Sequence, residues 1–176
     1  MIAIDGSSAP RSSRDYLRSA VRVVAGEILR RGERIPPFHA RFHGDIPINA
    51  GASSSSAMTV AWVKRLLAAA GDPGADDNRT VARLAHRAEV LEFGEPGGAM
   101  DHYSSAIGGL TYIEFGVDPS DVSVTPLAAR LGPIVIGNSR EPKDTVAILA
   151  RAKTSRLSIA AQMRERDPSF SIATVS

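Results

Sequence analysis

From residue 12 to residue 31, apolar side chains return every three or four positions. Leu17, Ala20, Val21, Val24, Ile28 and Leu29 share one side, and Arg14, Arg18, Arg22 and Arg30 fall mostly on the other. This spacing predicts an amphipathic helix that stops before Gly32. After Pro36-Pro37, residues 38–48 alternate between apolar and polar, which predicts a half-buried strand running into the turn-forming segment 49–56. A second helix is expected to start among the serines. It continues through Met58, Val60, Ala61, Val63, Leu66 and Leu67 to Ala70, where Gly71-Asp72-Pro73-Gly74 stops it.

Asp77 or Asn78 can cap a third helix, with an inward stripe of Val81, Leu84, Ala85, Ala88 and Leu91 that ends around Phe93-Gly94. The glycine-rich loop 94–101 follows, then a helical turn from Asp101 to Ile107 that stops at Gly108-Gly109. Residues 110–115, 122–127 and 133–139 have the composition of strands in an antiparallel or mixed sheet, and two helical stretches, 142–153 and 155–166, close the chain. Strands and helices do not alternate regularly, so the predicted class is α+β rather than a doubly wound parallel sheet.

Composition narrows the partners. With 21 Lys and Arg against 19 Asp and Glu, the net charge of +2 is too small, and the arginines too scattered, for a phosphate track. Aromatic residues make up only 5% of the chain, so a stacking platform for bases is not expected either. No nucleic-acid partner is therefore expected. The 176 residues contain no cysteine, which excludes a disulfide framework, a thiol nucleophile and a zinc-thiolate site. Without an apolar run long enough for a signal peptide or a membrane span, the expectation is no membrane partner and a cytoplasmic location.

The candidate chemistry starts at Pro47, Ile48, Asn49, Ala50, Gly51, Ala52, Ser53, Ser54, Ser55, Ser56 and Ala57, which join the predicted strand to the second helix. Successive backbone amides at a helix N-terminus attract anions, and small residues let a phosphate approach. Serine hydroxyls can bond phosphate oxygens or a hard cation. On spacing alone, a flexible serine turn with an N-cap explains the segment equally well. No Gly-Lys-Ser or Gly-Lys-Thr follows the glycine, so it is not a Walker loop.

The segment resembles the second motif of the GHMP kinases, roughly Pro-x-x-x-Gly-Leu-(Gly/Ser)-Ser-Ser-Ala, with Ala52 in place of leucine and Ser56 in place of the first alanine. The resemblance implies that Gly51 to Ser56 cradle the phosphates of ATP. It also implies that Pro47, Asn49, Ala50 and Ala57 complete the loop and that Ser55 binds Mg²⁺, with Ser54 its nearest competitor.

On the third helix, His86, Glu89 and Glu92 are spaced i, i+3 and i+6, which matches no HExxH site and suits a solvated polar face. GHMP kinases carry their Mg²⁺-binding glutamate at the interval before the glycine loop that Glu89 occupies, and the resemblance assigns that role to Glu89. In the loop, Asp101 can serve simply as an N-cap. Yet Gly97-Gly98-Ala99-Met100-Asp101 also resembles the family segment that presents the catalytic aspartate, with a Met-Asp pair on the galactokinase side. The resemblance therefore implies that Asp101 accepts or positions the proton of the attacking hydroxyl, with Gly97 and Gly98 beside the substrate.

The similarity runs loosely from Tyr16 to Lys153 and places Ser139, Arg140 and Lys143 near the substrate or a lobe boundary. It implies the N-terminal-lobe fold of these kinases, shared with a ribosomal protein domain: a mixed sheet with packed helices, incomplete here. Residues 1–140 would form the ATP-binding lobe and 141–176 the start of the second lobe. The family's first motif does not precede Ser13 and its third does not follow, so the expectation is weak or absent activity for the chain alone. The expected function is Mg²⁺- and ATP-dependent phosphorylation of a small-molecule hydroxyl. A sugar is the leading acceptor, and a non-sugar alcohol such as mevalonate is also open. The alternative is a non-catalytic nucleotide or sugar sensor, or an inactive kinase fragment.

Overall fold

The computed structural model describes residues 9–10, 12, 14–48, 50–116, 121–129, 131–137 and 145–170. Helix α1, Tyr16–Arg30, starts where the Asp15 carboxylate accepts from the Arg18 amide. Helix α2, Ser54–Ala70, ends at Gly71, whose left-handed φ of 70° is a conformation that side chains disfavour and glycine adopts freely. Helix α3, Asn78–Glu89, is capped by Asp77, which accepts from the Arg79 amide at 3.0 Å and the Thr80 hydroxyl at 2.6 Å.

These three helices form the core. Val21, Val24 and Ile28 of α1 meet Val63, Leu66 and Leu67 of α2 and Val81, Leu84 and Ala88 of α3, all fully buried or nearly so. Small residues let α1 and α3 approach closely: the buried Ser19 hydroxyl donates to the Ala88 carbonyl at 2.6 Å. Helix α4, Met100–Ile107, lies against α2 and α3. Strands β1, Thr111–Phe115, and β2, Val122–Pro126, pair antiparallel with Ile113 opposite Val124. Val122 and Val124 pack on Ala82 and Tyr103, and the Arg79 guanidinium donates to both valine carbonyls, which occupies the outer edge of β2. The architecture is α+β, as the pattern predicted.

Four expectations need correction. Residues 38–48 form no strand, because no neighbouring segment supplies a ladder; Phe38 and Phe42 instead cover Trp62 at ring separations of 5.7 and 5.1 Å. Among the described residues the sheet has two antiparallel strands: residues 133–137 are unpaired, and Val135 and Ile136 are almost fully exposed. The two closing helices are one, α5, Thr145–Arg166, since Thr154-Ser155 contains neither glycine nor proline to break it. Leu29 and Leu91, assigned to inward stripes, are about half exposed or more, Leu91 because α3 gives way to a tighter turn at Leu91–Phe93. None of the described helices is long and apolar enough to cross a membrane.

Candidate active site

The serine loop enters α2 through two left-handed residues, Gly51 at φ 74° and Ser53 at φ 53°. A serine in this region is uncommon, and such backbone strain concentrates at functional sites. Ser53 is the N-cap residue, but its side chain makes no capping bond; the helix begins with the Ala57 amide donating to the Ser53 carbonyl at 3.0 Å. The N-cap explanation of the serines is therefore not realised. The first-turn amides of Ser54, Ser55 and Ser56 have no acceptor within the helix and Ser53 provides no side-chain cap, so among the described residues the positive end of this 17-residue helix is left open to an anion. Pro47, Ala50, Gly51 and Ala52 are exposed around this opening. Asn49 lies outside the described residues, as do Ser139, Arg140 and Lys143.

Beneath the loop, Glu89 closes α3 as a buried carboxylate. Its Oε2 accepts from His102 Nε2 at 2.9 Å and its Oε1 from the buried Ser56 hydroxyl at 3.3 Å. Burial alone would push the Glu89 carboxyl up, but the hydrogen bonds from His102 and Ser56, with the Ser55 hydroxyl nearby, outweigh it and hold the group below the usual glutamate range. The charge therefore stands without a Lys or Arg salt bridge among the described residues. Glu92, by contrast, faces solvent and pairs with Arg87 at 3.2 Å, the polar surface expected of that face.

Asp101 occupies the first turn of α4. The N-cap of that helix is Ala99, so Asp101 does not have the capping role open to it from sequence, and its side chain makes no hydrogen bond or ion pair with another described residue. Gly97 packs under Val90, with its backbone near His86; Gly98 is exposed. A cleft of about 540 Å³ lies between Ile46, Ala52 of the loop, Val60 and Lys64 of α2, and Ser105 of α4. Asp101 does not line this cleft; it lies one helical turn before Ser105, which does.

The structure thus brings Ser55, Ser56 and Glu89 together at the foot of the loop and places Asp101 one residue from a Glu89 partner. Sequence reasoning missed that partner, His102, and missed the inward turn of Ser56. A signal was available: Ala99, His102, Tyr103 and Ala106 recur at helical spacing, and a histidine on such a stripe needs a buried partner.

The donor set suits a hard divalent cation, being one anionic carboxylate beside serine hydroxyls. Among the described residues no group of three or more His, Cys, Asp or Glu is placed to hold a metal. An ion here would complete its shell with phosphate and water, the habit of Mg²⁺.

Residues 15–109 match the family model of the GHMP kinases N terminal domain. The chain is 33% identical over 145 residues to the mevalonate kinase of Thermococcus gammatolerans, a match covering 78% of this chain and 39% of that protein. To the mevalonate kinases of Thermococcus onnurineus and Thermococcus sibiricus it is 32% and 31% identical, covering 38% of each. The chain therefore spans about two fifths of these curated relatives. No solved structure matches it.

Proposed function

The chain belongs to the GHMP kinases, and from that premise we propose that it forms the nucleotide-binding part of an ATP-dependent kinase that phosphorylates a hydroxyl of a small molecule. The observation that carries this reading is the uncapped N-terminus of α2 directly above the buried Glu89.

In this reading the amides of Ser54 to Ser56, with Gly51 and Ser53 shaping the approach, hold the phosphates. Glu89 and Ser55 hold Mg²⁺, which when bound offsets the charge on the phosphate oxygens. Asp101, one helical turn before Ser105, takes, or orients, the proton of the attacking hydroxyl. The aspartate suits that task because no capping bond or ion pair within the described chain occupies it.

The similarity to three mevalonate kinases supports mevalonate, or a hydroxy acid like it, as the acceptor to test first. A sugar hydroxyl is the second reading, favoured by the galactokinase-like Met100-Asp101 pair. The test is ADP release by the purified chain with Mg²⁺ and ATP over a panel of mevalonate and hexoses, with Asp101→Asn beside it. A signal with one acceptor that vanishes in the variant supports the reading. A signal that Asp101→Asn leaves intact overturns the assignment of the aspartate.

A further inference from the structure

His102 has an unusual environment. It is 2% exposed, its Nε2 meets Glu89, and its buried Nδ1 has no hydrogen-bond partner among the described residues. A buried unsatisfied nitrogen costs free energy that a leucine at the same position would avoid. The ring is also wedged edge-on against His86, with centroids 5.3 Å apart. A carboxylate only accepts, so Nε2 carries the hydrogen that Glu89 Oε2 receives. That contact occupies Oε2 and leaves Oε1, with its longer bond to Ser56, as the oxygen facing the serine hydroxyls.

We propose that His102 is a positioning residue for the Mg²⁺·ATP site: it pins Glu89 Oε2 so that Oε1 is presented to the metal, and it ties that anchor to the helix carrying Asp101. The inference rests on the reading of Glu89 as a metal anchor. His102 and Asp101 are consecutive in α4, so one side chain sets the separation between the metal anchor and the acceptor site. Ser56, in place of the family's alanine, adds a second donor to the same carboxylate.

The test is calorimetric titration of the purified chain with ATP, once in EDTA and once in Mg²⁺, the ratio of the two affinities being the gain from the metal. His102→Leu is expected to lower that gain by about 10- to 100-fold, the usual effect of losing the group that orients a ligand. Affinity in EDTA should stay unchanged. His102→Gln, whose amide can still donate to Glu89, should recover most of the gain. A full gain in His102→Leu, an equal loss with and without Mg²⁺, or failure of glutamine to recover it would overturn the proposal.

If His102→Leu does not fold, the wild-type chain decides by NMR. The His102 Nε2–H resonance should shift when Mg²⁺ is added to the ATP-saturated chain, and a resonance indifferent to Mg²⁺ overturns the inference. Wild-type chain that binds no ATP overturns the nucleotide reading itself, and binding without a gain from Mg²⁺ overturns the anchor role of Glu89; either removes this inference with it.

Discussion

Replacing Glu89 by glutamine tests the buried carboxylate without any ligand. The carboxylate receives bonds from His102 at 2.9 Å and Ser56 at 3.3 Å. The amide of glutamine offers one acceptor oxygen and turns a donor toward the other side, so at least one buried donor loses its partner. A buried donor left unpaired costs about 1–3 kcal/mol. For a chain of this size each 1 kcal/mol lowers the melting temperature by about 2–4 °C, so Glu89→Gln should melt roughly 2–12 °C below wild type at pH 7. The only tryptophan, Trp62, is buried on α2 and hydrogen-bonded to the Leu17 carbonyl at 3.1 Å, so its fluorescence reports the loss of the core. Glu92→Gln is the control: its ion pairs with Arg87 and Arg22 face solvent and are worth at most about 1 kcal/mol. If Glu89→Gln melted with or above wild type, the carboxylate would not be the hub of this hydrogen-bond cluster.

Three further outcomes follow from other parts of the fold. Leu66→Ala, at a fully buried position between α1, α2 and α3, should cost about 2–5 kcal/mol in urea unfolding followed at Trp62. Asp77→Ala removes the cap of α3 and should cost about 1 kcal/mol at neutral pH. The Thr80 hydroxyl, and after it the Arg79 and Thr80 amides, hold the Asp77 carboxyl below its ordinary value near 3.8 despite some burial. The stabilisation is therefore complete above that value and is lost as pH falls through the lower folded one, so the melting curves of wild type and Asp77→Ala should converge in acid. In a form of the protein that turns over, Asp101→Asn should slow phosphoryl transfer by about 10²- to 10⁴-fold, with nucleotide affinity and melting temperature unchanged.

The helices were legible because their signals are local. Gly71-Asp72-Pro73-Gly74 ends α2 and Asp77 begins α3 without reference to distant residues, while the α3 stripe overran into the turn at Leu91–Phe93. Residues 110–115 and 122–127 were legible too and form β1 and β2, but 38–48 and 133–137 misled, because a period of two states only that one face seeks cover. At Phe38 and Phe42 the aromatic surface of Trp62 provides that cover, with the Arg65 guanidinium 5.1 Å over the Phe38 ring, and no ladder forms. Residues 133–137 carry the composition of a strand and lie uncovered. In the candidate site, the serine loop, Glu89 and Asp101 were singled out by the resemblance to the GHMP kinases, since spacing alone suited a serine turn, a solvated face and an N-cap. His102 and the inward Ser56 were not, since a buried polar side chain is understood only through a partner 13 or 33 residues away.

The central claim is that the open N-terminus of α2 receives the phosphates of ATP. The most direct test is to titrate the chain with ATP and Mg²⁺ while following its backbone amides by NMR. The account predicts that the amides of Gly51 and of Ser53 to Ser56 shift together and saturably, with the Glu89 amide responding only when Mg²⁺ is present. Saturable binding that leaves Ser53 to Ser56 unmoved while perturbing another surface would contradict it.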